Sequence, residues 1–204
     1  MDAGFIDTCA DPALPPAIVE QFVAAVGSDD PLAITVKENG RLVLIPRPRS
    51  ADEALEVVKE YVGHAVVRVG LTQFPAGIGA SDASQLRAII FDTCENLRTG
   101  TAMFAKIARI VTKWYGHPTN TELLPQMLDD AIYAWRTGSF EGSNVFRADD
   151  PGGPTFFEAI PKTGRPPDEP ESDPGGQTAA STSNPASAAD AGIRIDLSRI
   201  GGQK

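Results

Sequence analysis

Apolar residues recur along the first 147 residues at spacings that predict helices. The predicted helices span residues 17–26, 51–62, 81–90, 95–115 and 120–137. Pro15 and Pro16 precede the first of them, and proline suits the first position of a helix. Ser50 caps the second, with Glu53 in the capping-box position, and Ser81 is the expected cap of the third. The fourth is the longest and has a wide apolar face, which we expect to be buried.

Extended structure is predicted at one place. The runs 33–38 and 41–46 are separated by Asn39-Gly40, a strong signal for a β-hairpin. The run 64–73 fits either a buried extended segment or a short helix, and its periodicity does not decide between them. The sequence therefore predicts a mainly helical α+β domain with one small β-hairpin.

Composition changes near residue 149. From there to residue 204, Pro, Gly, Ser, Ala and Asp dominate, and large apolar residues are rare. Such a segment buries too little surface to offset its chain entropy, so we expect a disordered tail over 149–204 beside a folded domain over 1–148. The stretch 193–200 alternates apolar and polar residues, which fits a strand or a docking peptide as well as an unstructured end.

Charge and residue usage exclude several function classes. The net charge of −9 argues against direct nucleic-acid binding, which requires clustered Lys and Arg. No apolar run has the ~20 residues needed to span a bilayer. The N-terminus lacks the basic and apolar regions of a secretory signal, which favours the cytoplasm. Two cysteines and two histidines show no metal-binding spacing, and we predict no cofactor.

Five segments carry a resemblance to one family when they are taken in order. They are Cys9-Ala10-Asp11-Pro12, Asp30-Pro31-Leu32-Ala33-Ile34, Gly70-Leu71-Thr72-Gln73, the stretch 92–102, and Ala134-Trp135-Arg136-Thr137-Gly138-Ser139. In this order and spacing they resemble the signatures of soluble lytic transglycosylases, especially those attached to type IV secretion systems. The resemblance implies a lysozyme-like domain and peptidoglycan glycan strands as partners. It also implies that Cys9 opens the first helix.

The catalytic acid of that family has no counterpart at its expected place. Glycosidic cleavage needs a carboxylic acid that an apolar pocket keeps protonated near neutral pH. The resemblance places this glutamate at Val26, with Gly27 in place of a serine. Glu20 and Asp29 are the fallback candidates. Glu20 lies ~9 Å along the helix and points roughly 120° away, and Asp29 fits a solvated turn residue.

The binding side of the resemblance is partly retained. Gln73 matches the glutamine that contacts the sugar in the family, and it fits equally an ordinary polar residue at a strand end. Trp135 replaces a tyrosine, and its ring could stack on a sugar or fill the core. Arg136 replaces an asparagine and alters the family's hydrogen-bond pattern.

The two cysteines do not decide between a reducing and an oxidising cellular compartment. In a reducing compartment, Cys9 and Cys94 read as small apolar residues. In the secretion-linked relatives the equivalent pair forms a disulfide between the N-terminus and the long helix, which implies an oxidising compartment such as the periplasm. The absence of a secretory signal points the other way.

The chain as a whole also resembles the TraH-type conjugal transfer proteins of rhizobial and agrobacterial plasmids. The stretches 16–23, 111–116 and 193–200 carry this likeness. Three hypotheses follow from the two resemblances, the missing secretory signal and the acidic charge. The first is a non-catalytic transglycosylase-like domain that binds peptidoglycan or a component of the conjugation machinery. The others are an active lytic transglycosylase that uses a displaced carboxylate and a cytoplasmic interaction protein.

Overall fold

The computed structural model describes residues 2–80 and 82–159. Its α-helices are α1 (Ala3–Cys9), α2 (Pro16–Val26), α3 (Ala51–Tyr61), α4 (Thr93–Trp114) and α5 (Leu124–Thr137). Its strands are β1 (Ile34–Glu38), β2 (Arg41–Val43), β3 (Val66–Val69), β4 (Phe74–Pro75), β5 (Ser139–Phe140) and β6 (Ser143–Asn144). Short 3₁₀ helices lie at Ala83–Gln85, Ala88–Phe91, Thr121–Leu123 and Phe156–Ala159. About half of the described chain is helical, which confirms the α+β class.

The major helices begin where local chemistry predicts. α2 starts at Pro16, whose missing N–H costs nothing in the first turn. The Ser50 hydroxyl accepts from the Glu53 N–H at the start of α3. The Asp92 carboxylate accepts from the Glu95 N–H at 2.9 Å and caps α4. These contacts confirm the predicted helices over 17–26, 51–62 and 95–115 to within two residues.

Three helical expectations need correction. Cys9 ends α1 and does not open a helix, because Asp2 caps an earlier turn that the apolar periodicity did not reveal. The predicted helix 81–90 is two 3₁₀ turns with Asp82 as the first cap, and its expected cap Ser81 lies outside the described residues. The helix predicted from residue 120 begins as a 3₁₀ turn capped by Asn120, and α5 proper starts at Leu124.

The predicted hairpin is present, but it belongs to a larger sheet. Asn39 and Gly40 have φ of 50° and 78° between β1 and β2, as a tight turn requires. The sheet has the order β2-β1-β3-β4 and is antiparallel throughout, and β5 pairs with β6 in a separate ribbon. The prediction of one hairpin therefore underestimated the number of strands in the described residues. The segment 64–73, left open by its periodicity, is strand β3 followed by a turn.

The two faces of the sheet differ. Val36, Val67 and Val69 are buried in the core on one face. The other face carries Lys37 beside Val66, because alternate residues of paired strands point the same way. This second face borders the candidate site.

The core continues past the predicted domain boundary at residue 148. Phe157 is buried and stacks near Phe104 of α4, with ring centroids 6.3 Å apart. The Phe156 N–H donates to the Thr112 hydroxyl at 3.2 Å. Packing thus extends at least to Phe157. The remainder of the predicted tail, including the docking segment 193–200, lies outside the described residues.

Candidate functional site

Several motifs that are distant in the sequence meet at the turn after β3. Asn96 of α4 accepts from the Thr72 N–H at 3.0 Å and from its hydroxyl at 2.9 Å. Its amide nitrogen donates to the carbonyls of Val69 at 3.2 Å and Ile90 at 2.9 Å. The buried Asn96 thereby fixes the backbone of Gly70-Leu71-Thr72-Gln73 against α4.

Glycines permit this close approach. A Cβ atom at Gly100 would lie 2.3 Å from the Thr72 hydroxyl oxygen. A Cβ atom at Gly27 would lie 2.3 Å from the Leu71 carbonyl oxygen, which also accepts from the Ser28 N–H at 3.0 Å. The end of α2 therefore touches the turn directly. The serine that the resemblance expects at position 27 does not fit this backbone.

A cavity of about 310 Å³ lies beside this junction. The residues that line it come from α2, the sheet, the turn and α5: Ala25, Val26, Thr35, Lys37, Val66, Arg68, Gln73, Trp135 and Arg136. The structure thus brings together Val26 and the three predicted binding residues. Of the residues lining the cavity, none is Asp or Glu.

The two fallback carboxylates lie elsewhere. Glu20 and Asp29 line a larger groove of about 990 Å³, together with Asp2. Both side chains are exposed. On α2, Glu20 shares its face with Val23 and Ala24, three and four residues on, whereas Val26 faces the cavity. The helical geometry that predicted a separation of Glu20 from Val26 agrees with this placement.

Gln73 lines the cavity but serves mainly to join elements. It is buried, with φ of 50°. Its Oε1 accepts from the Thr35 hydroxyl at 2.7 Å, and its Nε2 donates to the Gly70 carbonyl at 3.1 Å. These bonds occupy two of the four hydrogen-bonding positions of the amide. The sugar-contacting role predicted for Gln73 stays a prediction.

Trp135 is a core residue. It is 0% exposed, and its ring makes edge contacts with Phe22 and Phe146 at centroid distances of 4.9 and 5.6 Å. No free face is left for stacking on a sugar, so the core alternative describes the structure. Its indole Nε1–H has no hydrogen-bond partner among the described residues.

Two arginines close the cavity wall. Arg68 of β3 donates to the carbonyls of Trp135 at 2.6 Å and Arg136 at 3.1 Å, at the C-terminal end of α5. It also donates to the Gln73 carbonyl at 3.2 Å. Burial lowers the pKa of Arg68 to about 10, so the guanidinium stays charged at neutral pH. Arg136 donates to the Ala25 carbonyl and links α5 to the end of α2.

A covalent bond joins α1 to α4. Cys9 and Cys94 form a disulfide with a Cα–Cα distance of 5.0 Å. It connects the end of α1 to the first turn of α4. Phe5 of α1 and Thr93 of α4 line the groove that also contains Glu20 and Asp29.

Comparison with known proteins places the chain in a family. A family model described as TraH_2 matches residues 1–202. The chain belongs to the TraH_2 family. A Sinorhizobium fredii protein named "Uncharacterized protein y4dP" is 52% identical over 202 residues, which cover 99% of each chain. No solved structure matches the chain. Membership in TraH_2 supports the role in conjugal transfer that the sequence predicted.

Sequence reasoning missed the two charged cavity residues Lys37 and Arg68 of this TraH_2 chain. Arg68 lies between Val67 and Val69 in an otherwise apolar strand, and a charge in such a run is the available signal. Lys37 alternates with Val36 in β1. Their shared face appears only with the register that pairs Thr35 with Arg68 and Lys37 with Val66.

The described part of the TraH_2 chain shows neither a metal site nor a membrane-spanning helix. No group of three or more His, Cys, Asp and Glu side chains within it is arranged to hold a metal ion. None of the helices described is both long and apolar enough to cross a membrane.

Proposed function

We propose that the protein is an accessory component of conjugal plasmid transfer whose transglycosylase-like, lysozyme-like domain binds without cutting. Its partner is peptidoglycan or a component of the conjugation machinery, and the cavity beside Val26 is the binding site. The observation that carries the proposal is the lining of this cavity, which joins Val26, Gln73 and Arg136 without a carboxylate.

The chemistry of proton donation supports a non-catalytic role. A general acid for glycosidic cleavage must stay protonated near neutral pH, which requires an apolar environment. Valine has no proton to give, and the neighbouring charged groups are cations. The cations disfavour a protonated carboxyl group at this spot.

The disulfide supports a site of action at the cell envelope. Disulfides persist in oxidising compartments and are rare in the cytosol. The Cys9–Cys94 bond therefore favours the envelope over the cytoplasmic interaction hypothesis. Thiol alkylation of protein taken directly from donor cells tests this. Blocked thiols before reduction support the envelope, and freely alkylated Cys9 and Cys94 support the cytoplasm.

One observation favours the catalytic alternative. Glu20 and Asp29 line one groove, and glycosidases of most families act through a pair of carboxylates. Both side chains are exposed, however, whereas the general acid of glycosidic cleavage requires an apolar pocket.

The deciding experiment combines binding and cleavage. Purified protein is incubated with peptidoglycan sacculi, sedimented, and the supernatant is searched by mass spectrometry for fragments with anhydro ends. A known lytic transglycosylase is the positive control. We expect co-sedimentation without fragments, and full complementation of conjugation by the Glu20→Gln/Asp29→Asn variant. Fragments that disappear in this variant would establish the catalytic alternative.

A further inference from the structure

The cavity beside Val26 is lined by cations alone among its charged residues. Lys37 comes from β1, Arg68 from β3 and Arg136 from α5. The chain as a whole carries 27 acidic against 18 basic residues. A concentration of three cations in one small depression therefore runs against the overall composition, and it creates a local positive potential.

These cations lack anionic partners within the described residues. The ion pairs found there join other side chains: Arg47 with Asp30, Lys59 with Glu56, Arg98 with Glu95, and Arg109 with Asp150. Arg68 is half-buried and bonds to carbonyl oxygens only. A desolvated charge without a counter-charge is costly to the fold. An anion in the cavity would offset that cost.

Helix capping explains part of this arrangement, but not all of it. Arg68 satisfies carbonyls at the end of α5, and Arg136 does so at the end of α2. Each guanidinium has five N–H donors. Hydrogen bonds to carbonyls use three on Arg68 and one on Arg136, so donors remain on both side chains. Lys37, on a strand, caps no helix.

We propose that this cavity is a binding site for an oxyanion, a carboxylate or a phosphate, held by Lys37, Arg68 and Arg136. Guanidinium groups recognise both oxyanions through paired N–H donors. A volume of about 310 Å³ suits a small ligand. Val26 and Val66 offer apolar contact to the carbon atoms that carry the charged group.

The absence of an acid at position 26 agrees with this ligand chemistry. A carboxylate at Val26 would repel a bound oxyanion and neutralise the cations around it. The inference rests on the proposed function, because both place the ligand in the same cavity. It differs in naming the charge of the ligand, which small probes can test without peptidoglycan.

The experiment is calorimetric titration of the full-length protein in Tris chloride at low ionic strength. The probes are inorganic phosphate, N-acetyl-alanyl-alanine with its free carboxylate, and the C-terminal amide of the same dipeptide. Fluorescence of Trp135 in a Trp114→Phe background gives a second readout, since the Arg68 guanidinium lies 5.9 Å from the Trp135 ring centroid. Binding of phosphate alone, of the free dipeptide alone, or of both identifies which oxyanion the site accepts, and each result supports the proposal.

Charge variants test the site itself. Arg136→Gln and Lys37→Gln each remove one cation, and we expect binding of the oxyanion to weaken roughly tenfold for Arg136→Gln and less for the exposed Lys37→Gln. Arg41→Gln is the matched control, because Arg41 is exposed on β2 and does not line the cavity. It should leave affinity nearly unchanged. Circular dichroism confirms that each variant is folded.

Three results would overturn the proposal. They are the absence of binding by every oxyanion, measurable binding of the amide that is as tight as that of the free dipeptide, and equal weakening in Arg41→Gln and Arg136→Gln. A failure of sacculus binding with intact oxyanion binding refutes the peptidoglycan partner and leaves this inference standing. Sacculus binding without oxyanion binding supports the peptidoglycan partner and refutes this inference.

Discussion

Two depressions lie on either side of α2, and they carry opposite charge. The groove is lined by Asp2, Glu20 and Asp29, whereas the cavity is lined by Lys37, Arg68 and Arg136. A single helix separates them. The comparison shows that a carboxylate six residues from Val26 in the sequence contributes to a different site, because the helical repeat turns it away.

The two depressions are also held by different interactions. The groove lies beside the Cys9–Cys94 disulfide, which joins α1 to α4. The cavity wall depends on hydrogen bonds from Arg68 and Arg136 to carbonyl groups. Covalent and electrostatic perturbations should therefore affect the two regions differently.

The largest expected effect comes from removing the disulfide. It links residues 85 apart, and a loop of this length contributes about 4–5 kcal/mol to the free energy of unfolding in the chain-entropy treatment. Urea denaturation of Cys9→Ala/Cys94→Ala should show a loss of this order. Wild-type protein reduced with dithiothreitol is the control and should match the variant. A loss below ~1 kcal/mol would mean that the two ends are held by packing instead.

The next largest loss of stability is expected where α4 packs against the turn after β3, which lies between the groove and the cavity. Gly100→Ala places a methyl group against Thr72, and overpacking of this kind costs about 1–3 kcal/mol. Gly77→Ala is the control, because its Cβ would meet nothing closer than Val62 at 3.9 Å. Thermal unfolding measures both variants. Equal stability of the two would argue against the close approach of α4 to the turn.

A glutamate at position 26, where the resemblance to lytic transglycosylases expects one, sharpens the contrast in charge. In Val26→Glu we expect the pKa of the new carboxyl group to fall below its ordinary value near 4.3, because three cations surround it. The folded pKa then lies below the unfolded one, so the stabilising contribution holds above the unfolded pKa and is lost as the pH falls through the folded one. Ionised at neutral pH, the glutamate has no proton to donate, and lysis of sacculi is not restored.

A glutamate on the opposite face provides the matched control for that variant. Val23 lines the acidic groove, so Val23→Glu should have a pKa above its ordinary value through repulsion by Glu20 and Asp29. NMR titration of the carboxyl carbon measures both. Similar pKa values at positions 23 and 26 would contradict the electrostatic difference between the depressions.

The smallest change in stability is expected from substitutions of the groove carboxylates Glu20 and Asp29. Glu20 and Asp29 are exposed and belong to none of the ion pairs of the described chain, so Glu20→Gln/Asp29→Asn should change the free energy of unfolding by less than about 0.5 kcal/mol. Oxyanion binding should persist, because these residues lie outside the cavity. Loss of conjugation in this variant would move the functional site from the cavity to the groove.

Much of the fold was predictable because its signals are local. Proline, serine and aspartate caps lie within three residues of the helices they start, and Asn39-Gly40 makes its own turn. The proximity of Val26, Gln73 and Arg136 was implied by ordered motifs. The role of Trp135 was not predictable, because an aromatic residue suits both a ligand surface and a core until its neighbours Phe22 and Phe146 are known.

The chain alone determined where its principal helices begin, that one hairpin forms, and that position 26 cannot donate a proton, since each depends on neighbouring residues or on the chemistry of one side chain. Tertiary structure decided that Lys37, Arg68 and Arg136 share a cavity while Glu20 and Asp29 share a groove. The physical reason is that strand register and helix packing set the side on which a charge lies. Neither is encoded by spacing within a single segment.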